Sequence, residues 1–336
     1  CVGSPILPLG TIFFILKNTP LSSHFCIQLF LLRLFTNFNE NHIINIKNKK
    51  EDYCMYRENN LIDENEDKKV LISCENKLIE EFTIPPQVKY IESDAFKNCH
   101  LLKTLDFGTG FYLEELGENA FPEPSIEKIF PTERLNNIGP ADFRSAVNTE
   151  NLKSVTVRKE HSALDFNINF FADIDEYGEV LFGHNLEEIN FEGVIDDYFS
   201  INGVWYLKGK GGFSAILLYP PAKKDKKFII PSEIQEASYC AIAGNPYLET
   251  LVLHKDFIYE NDMVVGCTSL KSIYMDSREL DFNEFTNCPN LKYIIGNGDF
   301  VMSNDCKEAV SNQNLIVCKE SDIIINAKSF KEINDS

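Results

Sequence analysis

A lysine that follows two glycines is the first feature of this sequence that suggests chemistry. Gly203 and Gly209 precede Lys210 in the order that a phosphate-binding loop requires. Such a loop has four residues between its glycines, and a Ser or Thr after the lysine holds magnesium. Here five residues separate the glycines and Gly211 follows Lys210, so we predict no nucleotide site.

Histidines and paired carboxylates are the other groups with catalytic potential. The six histidines, at positions 24, 42, 100, 161, 184 and 254, show neither His-Glu-x-x-His nor i, i+4 spacing, so a zinc site has no support. Acidic pairs occur at Glu114-Glu115, Glu187-Glu188 and Asp196-Asp197, but adjacent residues of a strand point to opposite faces. No Gly-x-Ser-x-Gly motif occurs either. The sequence therefore predicts no catalytic, cofactor-binding or metal-ligating residue, and thus no enzyme.

Cysteine usage and net charge limit the classes of partner. The ten cysteines form no Cys-x-x-Cys pair, which leaves a zinc ribbon or a thioredoxin-like site without support and the redox compartment open. A formal net charge of -19 would repel a phosphate backbone, so we predict no nucleic-acid partner. The lysine clusters at 47–50 and 223–227 lack interleaved aromatic residues and are interpreted as solvated loops.

Residues 1–77 form an N-terminal segment whose order the composition leaves uncertain. Because the chain begins at Cys1, we expect either a fragment or a sequence extended upstream of the true start. The apolar blocks 6–16 and 25–35 are each shorter than the ~20 residues of a spanning helix. They fit disordered or extraneous sequence, a signal or membrane anchor, or a folded part of the domain, and membrane association is expected only through them. Residues 39–69, rich in Asn, Lys, Glu and Asp, predict a loosely structured lead-in.

A repeated apolar pattern, x-Leu-x-x-apolar-x-apolar, dominates the chain after residue 77. Its anchor positions are Leu102, Ile126, Leu152, Leu186, Leu248, Leu270 and Leu291. A second signature precedes the best anchors with fixed internal spacing. Val88, Ile91, Ala95, Phe96 and Cys99 stand before Leu102 as Ile234, Ala237, Ala241, Ile242 and Asn245 stand before Leu248.

Each repeat predicts one coil of a solenoid. The Leu-x-x-apolar-x-apolar run is a short strand whose alternate side chains point inward, and the Ala-Phe-x-x-Cys part is a return segment. Stacked coils pair their strands and bury a shared apolar column. We therefore predict a leucine-rich-repeat solenoid over residues 78–296, with a parallel β-sheet on one face, short return segments on the other, and degenerate capping repeats at 297–336. Buried thiols are expected at Cys99, Cys267 and Cys288, with a disulfide or metal role as the alternative.

The repeat is interrupted between Leu186 and Leu248. Residues 201–207 and 213–219 are predicted to be two strands joined through the glycine-rich residues 208–212. We therefore predict a β-hairpin inserted at about residues 192–227.

The best coil, residues 84–105, resembles the BspA-type leucine-rich repeats of microbial surface proteins. That repeat runs Ile-Pro-x-x-Val-x-x-Ile-x-x-x-Ala-Phe-x-x-Cys-x-x-Leu-x-x-Ile, and residues 202–206 are similar to the family's Asp-Gly-Val-Leu-Tyr element. Asp142-Phe143 and Met263-Val264 replace Ala-Phe, and the coil at 158–192 keeps little of the pattern. The resemblance implies adhesion or surface recognition without an enzymatic part, and it supplies no catalytic residue.

Alternation along each strand also predicts the outward-facing side chains. They are Thr104, Asp106, Lys128, Phe130, Ser154, Thr156, Glu188, Asn190, Thr250, Val252, Ser272, Tyr274, Tyr293 and Ile295. The first coils thus present polar groups, and the last three an apolar ladder of Val252, Tyr274, Tyr293 and Ile295. We predict that this ladder, with Trp205 and Tyr206 of the hairpin beside it, binds a protein partner. The alternative is that residues 297–336 or a second copy of the chain cover it.

Two functions follow from these observations. The resemblance favours a non-enzymatic surface antigen or adhesion module that is secreted or held at the cell surface. Buried thiols, and a glycosylation acceptor only at Asn334, favour an intracellular scaffold or assembly factor in the cytoplasm.

Overall fold

The computed structural model describes the chain in segments. They are residues 43–44, 54–58, 69–108, 113–123, 125–132, 135–159, 170–193, 195, 197–209, 213–259, 262–275, 279–280, 285–296 and 301–319. Apart from Ile43, these residues belong to the second of two compact units, which spans residues 44–336.

In the described segments, short strands make up most of the regular structure, with three helices between them. The strands are β1 Ile43–Ile44, β2 Cys54–Glu58, β3 Lys69–Cys74, β4 Glu81–Thr83, β5 Val88–Ile91, β6 Thr104–Asp106, β7 Glu115–Leu116, β8 Lys128–Phe130, β9 Ser154–Val157, β10 Asp173–Ile174, β11 Val180–Phe182, β12 Glu188–Phe191, β13 Tyr198–Ile201, β14 Val204–Lys208, β15 Ser214–Leu218, β16 Lys227–Ile229, β17 Glu236–Ala237, β18 Ile242–Ala243, β19 Thr250–Leu253, β20 Val264–Val265, β21 Ser272–Met275, β22 Glu279–Leu280, β23 Tyr293–Gly296, β24 Val301–Met302 and β25 Ile316–Lys319. The helices are α1 Leu135–Ile138, α2 Pro140–Ala146 and α3 Asn304–Asn312.

Among the described residues, the strands of successive repeats form two five-stranded parallel sheets. Their strand orders are β4-β6-β8-β9-β12 and β16-β19-β21-β23-β25. Pairing register aligns the inward residues of successive coils, so that Leu105 is opposite Ile129, and Leu251 is opposite Ile273. All four of these side chains are fully buried. The predicted solenoid with a parallel sheet on one face is therefore confirmed.

The return segments also stack from coil to coil. Part of each one forms a second, shorter set of parallel strands, such as β5 with β7 and β18 with β20. Phe96 of the Ala-Phe pair stacks on Phe121 of the next coil, with ring centroids 4.4 Å apart. The anchors Leu102, Leu152, Leu186, Leu248, Leu270 and Leu291 are all buried. Alignment of equal positions thus produces the continuous core that one coil alone cannot form.

The three repeat cysteines are buried free thiols, as predicted for this position. Cys99 Sγ donates to the Cys74 carbonyl at 3.6 Å, and Cys267 Sγ donates to the Ile242 carbonyl at 3.4 Å. Each of these bonds joins one coil to the preceding coil. Cys288 Sγ instead donates to the carbonyl of Thr286 within its own coil.

The repeat architecture begins earlier than predicted, and its last coil lies where degenerate capping repeats were predicted. Strand β3 pairs with β2 in antiparallel fashion and with β5 in parallel fashion, although residues 39–69 were expected to be loosely structured. Strand β2 lies in a stretch where Asn, Lys, Glu and Asp outnumber the apolar residues, so composition did not reveal it. Strand β3, at the end of that stretch, is mostly apolar, and its Leu71 is fully buried in the core. At the other end, β25 pairs with β23 and adds one more coil. The apolar blocks 6–16 and 25–35 lie outside the described residues, as do residues 320–336 of the predicted capping region.

The insertion after β12 separates two hydrophobic cores. Strands β13, β14 and β15 are antiparallel neighbours, and β15 pairs with β17. The two predicted strands are therefore present as β14 and β15, whereas Asn202 and Gly203, both at positive φ, form the turn that creates the additional strand β13. One core contains buried residues from Cys54 to Ile195 with Trp205 and Leu218; the other contains Val204, Tyr206, Ile216, Tyr219 and buried residues from Phe228 to Leu315.

The β10–β11 hairpin comes from the coil in which the repeat pattern is weakest, and it contacts later coils. Asn287 Nδ2 donates to the Tyr177 carbonyl at 2.8 Å. Gly178, at the turn of this hairpin, faces Gly266 so closely that an added Cβ would lie 2.6 Å from the Gly266 backbone. The hairpin, residues 173–182, therefore connects the part of the chain that forms the first core with coils that form the second core.

No helix in the segments that the structure describes is both long enough and apolar enough to cross a membrane.

Candidate functional site

The outward face of the second parallel sheet carries two ladders of aligned side chains. The first ladder is Lys227, Thr250, Ser272, Tyr293 and Ile316; the second is Ile229, Val252, Tyr274, Ile295 and Cys318. We call these ten residues the C-terminal sheet face. At the usual strand spacing the ladders extend over about 20 Å.

Three of the predicted binding residues lie on this face at half-buried positions. Val252 is directly opposite Tyr274 in the second ladder, and Tyr293 is opposite Ser272 in the first. The Lys292 ammonium lies 5.3 Å from the centroid of the Tyr293 ring. Register therefore brings Val252, Tyr274 and Tyr293 together, and their role in binding stays a prediction.

Ile295 was predicted to be exposed, and this prediction is wrong. Its side chain is 3% exposed, although it lies outside the hydrophobic cores of the solenoid. The strand register places Ile295 between Tyr274 and Cys318 in the second ladder. Val252 and Tyr274 also have a neighbour on each side but stay half-buried, so position in the ladder does not by itself account for the burial of Ile295.

Trp205 and Tyr206 were also predicted to be exposed beside this ladder, and the structure contradicts this. Their side chains are 1% and 0% exposed. Strand β14 lies between the two cores, and alternation directs Trp205 into the first core and Tyr206 into the second. Neither residue belongs to the candidate surface.

Two exposed residues of this face were missed by the sequence analysis. Ile229 is 58% exposed at the start of the second ladder, and Ile316 is 43% exposed at the end of the first. Phe228-Ile-Ile-Pro231 repeats the pattern of Phe82-Thr-Ile-Pro85, so alternation from the buried Phe228 would have identified Ile229 as an outward residue. The sequence around Ile316 departs from the repeat pattern, so it offered no buried position from which the direction of Ile316 could be inferred.

The outward face of the first parallel sheet, which we call the N-terminal sheet face, is polar. Its ladders are Glu81, Thr104, Lys128, Ser154 and Glu188, and Thr83, Asp106, Phe130, Thr156 and Asn190. Arg158 pairs with Asp106 at 2.8 Å, and its guanidinium carbon lies 4.2 Å from the Phe130 ring centroid. Ser154 Oγ donates to Glu188 at 2.8 Å. These contacts cover Asp106 and Ser154, which are buried although they point outward, and Thr156 on the same face is buried as well.

Neither face presents a metal centre. The described residues contain no cluster of three or more His, Cys, Asp or Glu side chains able to hold a metal ion.

A cavity of about 350 Å³ lies away from both sheet faces. It is lined by Arg144, Asn148, Phe182 and His184, among others, and none of its lining residues belongs to either sheet face. Arg144 is already paired with Asp173 at 2.7 Å.

The repeat geometry agrees with the family comparison. The BspA type leucine-rich repeat region matches the chain in six copies, over residues 72–193 and 222–306. The chain belongs to this family. The resemblance inferred from residues 84–105 is thereby confirmed, and the BspA-type match ends and resumes on either side of the inserted strands β13 to β15.

Several solved structures of bacterial leucine-rich-repeat proteins are similar to this BspA-type chain. A leucine-rich repeat protein from Eubacterium ventriosum shares 15% identity, with 79% of this chain and 82% of that chain covered and a TM-score of 0.39. A leucine rich cell surface protein from Faecalibacterium prausnitzii shares 15% identity, with 82% and 95% covered and a TM-score of 0.35. The pneumococcal vaccine antigen PcpA shares 15% identity, with 71% and 79% covered and a TM-score of 0.30. A search of the curated proteins finds no match.

Proposed function

We propose that this protein is a non-enzymatic binding module that recognises a protein partner through its C-terminal sheet face. The observation that carries the proposal is the alignment of Ile229, Val252 and Tyr274 in one outward ladder. Aliphatic and aromatic side chains in such a patch are typical anchors of protein interfaces.

The N-terminal sheet face provides an internal comparison for this ladder. The positions equivalent to Ile229 and Val252 there hold Thr83 and Asp106, whereas the position equivalent to Tyr274 holds the aromatic Phe130. Folding therefore does not require apolar side chains at the positions of Ile229 and Val252. A role in contact with another molecule accounts for them.

The net charge supports the class of partner that we propose, and the family supports a role without catalysis. A net charge of -19 disfavours nucleic acid, so the partner is a protein. Membership of the BspA-type family, together with a sequence that holds no nucleophile or metal motif, supports a non-enzymatic role.

Binding is tested by a matched pair of substitutions. Tyr274 and Phe130 are aromatic, half-buried, and placed on the third strand of their respective sheets, within corresponding ladders. Purified serum and extracellular-matrix proteins are screened by surface plasmon resonance against the wild type, Tyr274→Ser and Phe130→Ser. We expect Tyr274→Ser to weaken binding about 10-fold or more, as at an interface hot spot, and Phe130→Ser to leave it unchanged.

Thermal unfolding of the same variants separates recognition from folding. Lost binding at unchanged melting temperature for Tyr274→Ser, repeated for Tyr293→Ala, supports the proposed surface. A lower melting temperature that accounts for the lost binding contradicts it, as does equal weakening by Phe130→Ser.

We further propose that the module acts at the cell surface or as a secreted protein, in adhesion or as a surface antigen, as its family suggests. Protease treatment of intact cells, followed by detection with an antibody to the repeat region, tests the location. Degradation without lysis supports the surface assignment. Protection until the cells are lysed contradicts it and favours an intracellular scaffold, the alternative that the buried thiols of Cys99, Cys267 and Cys288 support.

A further inference from the structure

Three cysteines that are distant in sequence meet at the first coil of the solenoid. Cys54 of β2 is directly opposite Cys74 of β3 in the antiparallel pair. Cys99, from the next coil, donates its thiol to the Cys74 carbonyl at 3.6 Å. The exposed fractions of the three side chains are 3%, 1% and 1%.

Backbone hydrogen bonds define the type of pair that Cys54 and Cys74 form. The Cys74 N–H donates to the Ala95 carbonyl at 2.8 Å, on the side of β3 that faces β5. It therefore points away from β2, which makes Cys54 and Cys74 a non-hydrogen-bonded pair. Cα atoms in such pairs are about 4.5 Å apart, within the range of about 4.4–6.8 Å that a disulfide bridges.

The surroundings of Cys74 favour its reactive form. A hydrogen bond with the Cys54 thiol lowers the pKa of the Cys74 thiol, and a second with the Cys99 thiol lowers it further, whereas burial opposes both. The thiolate is the nucleophile in thiol–disulfide exchange. These contacts belong to the folded coil, so they do not decide which of the two sulfurs attacks first during folding.

We propose that Cys54 and Cys74 form a cross-strand disulfide when the chain folds in the presence of a small-molecule disulfide such as glutathione disulfide. The thiolate of either cysteine, for example Cys74, attacks one glutathione sulfur, so that a mixed disulfide forms and one glutathione thiolate leaves. The Cys54 thiol then loses its proton to solvent, and its sulfur attacks the Cys74 sulfur and releases the second glutathione. Two protein thiols are oxidised, and one glutathione disulfide is reduced to two thiols.

Both sulfurs are buried in the folded chain, so the exchange takes place during folding, before the coil closes over them. The bond closes a loop over residues 54–74 and attaches β2 covalently to the strand that pairs with β5. Its effect is to hold the N-terminal end of the repeat array together in an oxidising medium. It is independent of the proposed binding surface, which lies on β16 to β25.

The experiment refolds the full chain from denaturant, once with a mixture of reduced and oxidised glutathione and once with excess reductant. Free thiols are alkylated in denaturant, and the linked peptides are identified by mass spectrometry. We expect a peptide pair joined through Cys54 and Cys74 that disappears on reduction. The oxidised wild type should also melt about 5 °C above the reduced wild type.

Variants assign this stabilisation to the proposed bond. The difference in melting temperature between oxidised and reduced protein should vanish in Cys54→Ser and persist in Cys267→Ser, whose thiol lies in the other core. If a variant fails to fold, the peptide map of the wild type still tests the proposal. Alkylation of both Cys54 and Cys74 in the oxidised sample would overturn the proposal, and so would a bond from Cys74 to Cys99.

Discussion

Trp205 and Tyr206 are adjacent in sequence, but their side chains lie in two different hydrophobic cores. Trp205 contacts Phe191 and Tyr198, with ring centroids 5.9 and 5.5 Å away, whereas Tyr206 stacks on Phe199 at 5.3 Å. Both faces of β14 are therefore buried. The insertion thus fills the junction between the two parallel sheets, and its aromatic side chains support both of them.

Truncating Trp205 should destabilise the junction strongly. We expect Trp205→Ala to lower the free energy of unfolding by about 3–5 kcal/mol, because it removes a large buried side chain and leaves a cavity. Urea denaturation followed by circular dichroism measures the change. The matched control is Tyr206→Phe: the Tyr206 hydroxyl is buried and has no hydrogen-bond partner among the described residues, so its removal should be neutral or stabilising. A loss below about 1 kcal/mol for Trp205→Ala would contradict this account.

Asn245 occupies the repeat position that Cys99 holds in its own coil, and it should be a strong polar link between coils. Its buried Nδ2 donates to the Pro220 and Lys223 carbonyls at 3.1 and 2.9 Å. Its Oδ1 accepts from the N–H groups of Tyr247 and Leu248, both at 2.8 Å. Asn245→Ala leaves these groups unpaired and should cost about 3 kcal/mol in the free energy of unfolding.

The control for Asn245 is an asparagine in an exposed position. Asn290 donates one hydrogen bond to the Thr268 carbonyl at 2.7 Å. Because water can replace that bond, Asn290→Ala should cost less than about 1 kcal/mol. Equal losses for the two variants in urea denaturation would show that Asn245 has no special role.

The contact between Gly178 and Gly266 should be intolerant of any side chain. Gly178 has a φ of 79°, and an added Cβ would lie 2.6 Å from the backbone of Gly266. Gly139 has a similar φ of 83° but nothing within 4 Å of an added Cβ. Gly139→Ala should therefore cost about 1 kcal/mol from backbone strain alone, and Gly178→Ala about 2 kcal/mol more.

Hydrogen exchange locates the effect of the Gly178 substitution. Faster exchange at residues 173–182 in Gly178→Ala, with unchanged exchange in the N-terminal coils, is the expected pattern. Indistinguishable stability losses in Gly178→Ala and Gly139→Ala would refute the close packing of this hairpin.

Glu249 should make stability depend on pH through two lysines of neighbouring coils. Hydrogen bonds from Lys271 and then Lys226 lower the pKa of the Glu249 carboxyl below its ordinary value. Because the folded chain binds this proton less readily than the unfolded chain, the stabilisation is present above the ordinary pKa and is lost as pH falls through the folded pKa. Wild type should melt above Glu249→Gln near pH 7, and the difference should shrink as pH falls through the folded pKa of Glu249.

Salt provides the check on this pH effect. The carboxylate is exposed to solvent, so about 1 M salt should reduce the difference between wild type and Glu249→Gln near pH 7. A difference that survives at low pH would assign the effect of the substitution to something other than the ion pairs.

The sequence by itself determined the coil and its interior. Leu105, Ile129, Leu251 and Ile273 were assignable to the core because inward direction follows from local alternation, and because the repeat places equal positions above one another. The same alternation identified Val252 and Tyr274 as outward residues. Such properties depend on residues close in the chain, which the sequence displays directly.

Only the tertiary structure decided which outward or inserted residues remain accessible. Trp205 is buried because β14 is enclosed by two cores, and Ile295 is buried although its side chain points outward. The pairing of Cys54 with Cys74 and the contact of Gly178 with Gly266 likewise join segments that no repeat spacing relates. Accessibility and such contacts depend on which distant segments pack together, and that packing is a property of the whole folded chain.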